Sequence, residues 1–124
     1  MKYLQQVLTV CLLLMAFATN AQNGIIGKWK SEEHPNNHLE IYLAKDGLYY
    51  GKLVYENGKT ENLGKFLLKH LQYDASANCY TGKMMPPDRN IEFTVKLTQI
   101  SDDKIKAVAT KFLITKTIFF IKIK

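Results

Sequence analysis

Apolar and polar side chains alternate with a period of two along most of the chain. The clearest run is residues 90–98, in which every second residue is apolar and the others are polar or charged. A β-strand with one buried and one hydrated face requires this alternation, whereas an amphipathic helix requires a period of 3.6. The pattern predicts these inward-facing positions: Leu39, Ile41, Leu43, Ile91, Phe93, Val95, Leu97, Ile105, Ala107, Ala109, Thr115, Thr117, Phe119, Ile121 and Ile123.

Turn residues divide this pattern into eight predicted strands. Asp46-Gly47 and Asn57-Gly58 suit the positive φ angles of tight hairpin turns, and Pro86-Pro87 ends a strand because proline donates no hydrogen bond to a ladder. The predicted strands cover residues 25–31, 38–44, 47–55, 65–73, 79–84, 90–99, 104–110 and 115–123. For the fourth, the alternative is a helical turn with an apolar face formed by Leu63, Phe66, Leu67 and Leu71.

Eight short strands joined by tight turns predict an all-β fold, an antiparallel eight-stranded up-and-down β-barrel. Closure of the barrel removes the two edge strands that would otherwise pair with other chains. The interior of a barrel of this size holds side chains or one small ligand. A sandwich of two sheets is the alternative fold, and residues 22–124 are predicted to form one domain.

The first 21 residues have the layout of a secretory signal peptide. A basic start is followed by an apolar run over residues 4–18, and small residues at Thr19 and Ala21 precede Gln22. We predict cleavage between Ala21 and Gln22 and export to the periplasm or the outside of the cell, with a retained anchor as the alternative. The remaining chain has Cys79 as its only cysteine, so it forms no internal disulfide.

The chain is basic, with 17 lysines and arginines against 11 acidic residues and a formal net charge of +6. The lysines are scattered along the chain rather than gathered in a block, which is typical of a solvated surface. We therefore predict no nucleic-acid binding. Weak contact with an anionic membrane surface or an envelope polymer is the alternative role for this charge.

Several short motifs occur in an order that resembles a known family. They are Gly27-x-Trp29, Asp46-Gly47-x-Tyr49-Tyr50-Gly51-Lys52-Leu53-Val54, Leu63-Gly64 and Tyr80-x-Gly82-Lys83-x-x-Pro86. This order resembles the bacterial family called domain of unknown function 2147, over nearly all of residues 22–124. The resemblance implies a small exported protein with a lipocalin-like β-barrel, in which the tryptophan plugs one end and the glycine lets strands pass closely. It implies no established activity.

The chain departs from that family at two places. Relatives usually have a longer insert rich in Asp, Asn and Pro between the third and fourth strands, where this chain has only Glu56 to Asn62. The family tends to end with a tryptophan followed by arginine, where this chain has Phe119-Phe120-Ile121-Lys122. If the insert is a binding loop in relatives, its shortening removes the associated function here.

The inward face supplies the residues predicted to contact a ligand. Trp29 is predicted to be a buried plug whose N–H finds a backbone or polar partner, with stacking on a ligand as the alternative. Ala107 and Ala109 leave room that either a neighbouring aromatic residue or a ligand fills. The candidate lining of a pocket for a small, mostly apolar molecule is Trp29, Tyr73, Tyr80, Met84, Phe93, Ala107 and Phe119. For the tyrosines, the alternative is ordinary filling of strand positions.

The sequence offers little support for catalysis or metal binding. It contains no Gly-x-Ser-x-Gly elbow, phosphate-binding loop or His-Glu-x-x-His motif. His34 and His38 have a spacing that would suit zinc on a helix, but Pro35 between them favours a loop. We therefore predict a protein that is not an enzyme and that uses no cofactor or metal.

Two apolar residues of the last strand are predicted to face outward. Ile118 and Phe120 alternate in phase with Lys116 and Lys122, and lysine normally marks the hydrated face. Such a pair is explained by a homodimer contact, by cover from another segment or by a bulge that changes the alternation. The alternative to a ligand-binding barrel is therefore a structural or interaction protein with a filled core, acting through its surface in the cell envelope.

Overall fold

A computed structural model describes residues 24–124. The predicted signal peptide and its cleavage site between Ala21 and Gln22 lie outside the described residues. The strands are β1 (Gly27–Ser31), β2 (Asn37–Leu43), β3 (Tyr49–Glu56), β4 (Phe66–Asp74), β5 (Cys79–Met84), β6 (Phe93–Ser101), β7 (Lys104–Lys111) and β8 (Ile114–Lys122). The alternative of a helical turn in the fourth segment is wrong, because β4 begins at Phe66 and is extended. No helix long and apolar enough to cross a membrane occurs between residues 24 and 124.

The strands close into an up-and-down barrel. Each strand pairs antiparallel with the next, and β8 pairs with β1 through Trp29 opposite Lys122 and Ser31 opposite Phe120. The predicted barrel is confirmed, and the two-sheet sandwich is wrong. The loops after β1, β3, β5 and β7 lie at one end of the barrel, which we call the mouth, and the opposite end is the base.

The two predicted hairpin turns are present, with one difference. Asn57 and Gly58 have φ angles of 43° and 77°, and the amide of Lys59 donates to the carbonyl of Glu56 at 2.7 Å. These are the positive angles that a two-residue hairpin turn requires. In the turn between β2 and β3 only Gly47 has a positive φ, of 84°. Asp46 instead accepts a hydrogen bond from the Leu48 amide through its side chain at 3.0 Å.

Most predicted inward positions are buried. Those that are at most 3% exposed are Leu39, Ile41, Val95, Leu97, Ile105, Ala107 and Ala109. Leu43 and Ile91 are 48% and 37% exposed, so neither is buried in the interior as the alternation predicted. Leu43 is the last residue of β2 and Ile91 precedes the start of β6. Alternation places a residue on a face, but burial also requires neighbouring strands on both sides.

The predicted alternation of β8 is reversed. Phe120 pairs with Ile105, and Ile118 pairs with Ala107. Because directly paired residues project to the same side of a sheet, Phe120 and Ile118 face the interior. Phe120 is 5% exposed and Ile118 packs against the core. The opposite phase, which contains Thr115, Thr117, Phe119 and Ile121, therefore faces outward.

The lysines of β8 explain why the sequence pattern misled. Lys116 lies opposite Ala109 near the mouth, and Lys122 lies opposite Trp29 near the base. Each is close enough to an end of the barrel for its aliphatic stem to follow the inner wall while the ammonium group reaches water. A lysine at a strand end therefore does not mark the outer face. The homodimer contact predicted through Ile118 and Phe120 loses its geometric basis.

A bulge in β4 also breaks the strict alternation. His70 has a φ of 54°, and the pairing with β5 shifts register between Lys69 and Gln72. Leu68 and Leu71, three residues apart, are consequently both fully buried. The bulge re-aims the second half of the strand, as bulges do at such sites.

Trp29 is the plug that the sequence predicted. Its side chain is fully buried, and the indole nitrogen donates to the carbonyl oxygen of Ile25 at 2.9 Å. The Lys122 ammonium lies 5.7 Å from the centre of the indole ring, a distance suited to a cation–π contact. Ile25 precedes β1 and Lys122 ends β8, so these contacts tie the indole to the base of the barrel.

Candidate functional site

A cavity of about 650 Å³ opens at the mouth of the barrel. Its floor and walls are the inward side chains of the strand ends that meet there. Its rim is formed by the loops over residues 57–65 and 85–92, together with residues that flank β1 and β2. Pockets that bind small ligands are usually of this size.

The floor of the cavity is a continuous apolar band. Leu39 pairs with Leu53 across β2 and β3, and Leu68 pairs with Met84 across β4 and β5. Met84 in turn pairs with Phe93 on β6. These paired side chains occupy the same face of neighbouring strands and therefore form one surface around the inside of the barrel.

The β7–β8 side of the cavity combines a small residue with two larger ones. Ala109 lines the cavity, as do Ile118 and Phe120. Ala107, two residues deeper, is fully buried and does not contribute to the lining. The space beside the two alanines therefore differs. The space beside Ala109 is open to the cavity, and the space beside Ala107 is filled by neighbouring side chains.

The rim is polar and carries both signs of charge. Its acidic and basic members are Glu56, Lys59, Glu61, Asp88, Arg89 and Lys116, and other polar side chains there are His34, Asn37 and Asn62. Lys116 lies 3.7 Å from Glu33, and both side chains are more than half exposed. An ion pair as exposed as this contributes little to stability, so both groups stay available to a bound molecule.

The loops of the rim are tied to the barrel and to each other. The Asn62 amide donates to the Glu56 carboxylate at 3.0 Å, and the Lys65 ammonium donates to the carbonyl of Pro87 at 3.4 Å. The segment from Glu56 to Asn62 is therefore part of the cavity wall.

The base of the barrel is filled by aromatic side chains. The ring centre of Tyr80 lies 5.3 Å from that of Tyr49 and 5.0 Å from that of Tyr73. Burial raises the pKa of the Tyr80 phenol well above its ordinary value, and the neighbouring tyrosines raise it further. Burial also raises the pKa of Tyr49. The Tyr73 hydroxyl donates to the side-chain oxygen of Asn78 at 2.6 Å.

Of the seven residues predicted to line a pocket, two line this cavity, Met84 and Phe93. Trp29, Tyr80 and Ala107 are buried outside it, in the filled part of the interior. The remaining two, Tyr73 and Phe119, also lie outside the cavity.

Tyr73 is half-buried beside Tyr80 near the base. Phe119 lies on the outer face, where the Lys104 ammonium sits 4.8 Å from its ring centre. Its inclusion followed from the reversed alternation of β8 and is wrong.

The lining residues that sequence reasoning missed have one property in common. Leu39, Leu53, Leu68, Ala109 and Phe120 all lie on the inner face toward the mouth. The available signal was topological, because in an up-and-down barrel the ends of odd strands meet the starts of even strands. Selecting inward residues by that rule, rather than by aromatic character, identifies most of the floor.

The titratable groups of the mouth do not assemble into a metal centre. Within the described part of the chain, no group of three or more His, Cys, Asp or Glu side chains is placed to hold a metal ion. Cys79, the free cysteine of this region, is buried in β5. The chemistry available at the mouth is therefore an apolar floor with hydrogen-bonding and charged groups around it.

No family model, curated protein or solved structure matches the chain. The resemblance to domain of unknown function 2147 therefore stays a prediction from the motifs quoted above. What the cavity can hold follows from its shape and chemistry.

Proposed function

We propose that this protein is an exported, lipocalin-like binding protein that holds a small, mostly apolar molecule in the mouth cavity. The observation that supports the proposal is the cavity of about 650 Å³, with its apolar floor and polar rim. Eight-stranded barrels are wide enough for one small ligand. The part of the proposal that concerns export rests on the signal-peptide pattern of residues 1–21.

The division between floor and rim dictates how such a molecule lies. Its apolar body packs against side chains such as Leu53, Leu68 and Phe93, where each Å² removed from water contributes about 25 cal/mol. A polar end stays at the rim among groups such as Lys59, Arg89 and Asp88. Because the rim carries both signs, it suits a dipolar or hydrogen-bonding end better than a multiply charged one.

The test is to fill the cavity and measure binding. Ala109→Phe adds a ring to the cavity wall, and Val108→Phe adds the same ring to the outer face of the same strand. We expect Ala109→Phe to weaken binding of a fluorescent fatty acid by roughly tenfold or more, and Val108→Phe to leave it unchanged. Circular dichroism and thermal unfolding establish that each variant is folded.

A second variant covers the case in which Ala109→Phe fails to fold. Ile118→Trp fills the same cavity from β8, where the half-buried side chain has room to change. Unchanged binding by a folded cavity-filling variant contradicts the proposal. Native mass spectrometry of protein purified from its own host then identifies the natural ligand by mass.

A further inference from the structure

The tip of the β7–β8 hairpin is apolar and exposed. Phe112, Leu113 and Ile114 are 90%, 101% and 64% exposed. Three consecutive exposed apolar residues at a loop tip are unusual in a soluble domain and mark an interaction site. The tip lies at the mouth, because it joins the end of β7 to the start of β8 through the pair Lys111 and Ile114. Lys116, two residues after Ile114, lines the cavity rim.

The turn itself does not explain these residues. Phe112 has a φ of 54°, a left-handed conformation that bulky side chains rarely adopt and that hairpins normally give to Asn or Gly. A strained residue that contributes nothing to the core is best explained by a role outside the fold.

The charged side chains on either side of the tip are lysines, although the mouth as a whole carries both signs of charge. The tip is flanked by Lys111 and Lys116, and the Lys111 ammonium lies 5.8 Å from the ring centre of Phe112. An apolar tip between lysines complements an anionic bilayer, whose acyl region accepts the tip and whose headgroups attract the ammonium groups.

We infer that the tip of the β7–β8 hairpin docks on the surface of an anionic phospholipid bilayer, with Phe112, Leu113 and Ile114 inserted below the headgroups. Aromatic and aliphatic side chains flanked by lysine partition to this interface. Docking in this orientation turns the mouth cavity toward the lipid. The further consequence that the ligand passes between bilayer and cavity rests on the proposed function, whereas docking itself does not.

The test is cosedimentation of the purified protein with vesicles of equimolar phosphatidylglycerol and phosphatidylcholine, and with phosphatidylcholine alone. We expect binding to the anionic vesicles that weakens as salt is raised. The double variant Phe112→Ser/Leu113→Ser should weaken this binding by roughly tenfold or more. Lys111→Gln should weaken binding to the anionic vesicles and leave binding to the neutral ones unchanged.

The matched control removes two exposed apolar residues elsewhere. Leu43→Ser/Ile100→Ser changes side chains that are 48% and 52% exposed toward the base, and it should bind vesicles as the unaltered protein does. Absence of vesicle binding, equal loss in both double variants, or capture of a second protein by the tip without any lipid binding overturns the inference. Titration of the tip variant with fluorescent fatty acid in the absence of vesicles tests the cavity separately, so the two proposals fail independently.

Discussion

Gly82 lies so close to Lys69 across the β4–β5 pair that a Cβ on Gly82 would be 2.6 Å from the carbonyl oxygen of Lys69. The same Cβ would lie 2.9 Å from the carbonyl oxygen of His70, at the bulge of β4. Both contacts are to backbone atoms, which cannot rotate away. The glycine is therefore what allows the bulge that places Leu68 and Leu71 in the interior.

Gly82→Ala should consequently destabilise the barrel by about 1–3 kcal/mol, because β4 or β5 must shift to accept the methyl group. The measurement is the free energy of unfolding in urea, followed by circular dichroism. Thr81→Ala on the same strand is the control, since Thr81 is exposed and should cost less than about 1 kcal/mol. A Gly82→Ala protein as stable as the unaltered one would show that the close approach is relieved without cost.

The reversed alternation of β8 is tested with three phenylalanines. Phe120→Ala removes a buried side chain and should cost about 3 kcal/mol, the low end of the usual range because the ring borders the cavity. Phe112→Ala at the exposed tip should change stability by less than about 0.5 kcal/mol. Phe119→Ala on the outer face should fall between them. If Phe119 proved costlier than Phe120 in urea unfolding, the inward face of β8 would be the one that the sequence pattern predicted.

Trp29 should be the most costly single aromatic to replace near the base. Trp29→Phe leaves a void and removes the donor to the buried carbonyl of Ile25, which together should cost about 2–4 kcal/mol. Circular dichroism is the appropriate probe, because this is the only tryptophan of the chain. In the unaltered protein the fluorescence emission of Trp29 should be blue-shifted and should resist quenching by iodide until the barrel unfolds. Ready quenching in the folded state would mean that the indole is accessible.

The buried phenols predict a loss of stability at alkaline pH. The pKa of Tyr80 is raised by burial above the value of about 10 that it has when unfolded, and that of Tyr49 is raised by the same cause. The stabilising contribution is complete below about pH 10 and is lost as the pH rises further, because the unfolded chain then releases protons that the folded chain retains. Each such tyrosine contributes a slope of up to about 1.4 kcal/mol per pH unit.

Urea unfolding across the range from about pH 9 to 12 measures this slope. Tyr80→Phe should make the decline shallower, whatever it does to stability at neutral pH. Tyr55→Phe is the control, because Tyr55 is 44% exposed and its curve should run parallel to that of the unaltered protein. If the free energy of unfolding of Tyr80→Phe declined with pH as steeply as that of the unaltered protein, the loss of stability at alkaline pH would come from other groups.

Strand positions and closure were predictable because each rests on local patterns. The alternation of β6 and β7 and the turn residues at Asn57-Gly58 place the strands within a few residues of their observed bounds. Closure followed from the need to cover edge strands.

The inner face of β8 was not predictable from its own sequence. Both phases of β8 contain apolar residues, and the choice is made by register against Ala107 and Ala109.

The candidate site was less accessible to sequence reasoning than the fold. Aromatic character pointed to Tyr73 and Tyr80, yet these fill the base. The open space lies at the mouth beside Ala109, and the sequence of a single strand does not show which of its inward positions border open space. The bulge at His70 shifts inward positions by one, which only the backbone reveals.

The short pairing between β1 and β8 has a consequence for how the molecule forms and opens. Three residue pairs join these strands, as few as join β3 and β4, against eight between β7 and β8. Unlike the β3–β4 pair, this seam unites the beginning and the end of the described chain. Forming a contact between residues so far apart in the chain is the slow step in folding of such a topology, so the barrel closes only when β8 pairs with β1. The same seam is where the wall should part most readily. Since Ser31 and Phe120 face each other there and both border the cavity, transient parting of the seam would widen the route to the interior.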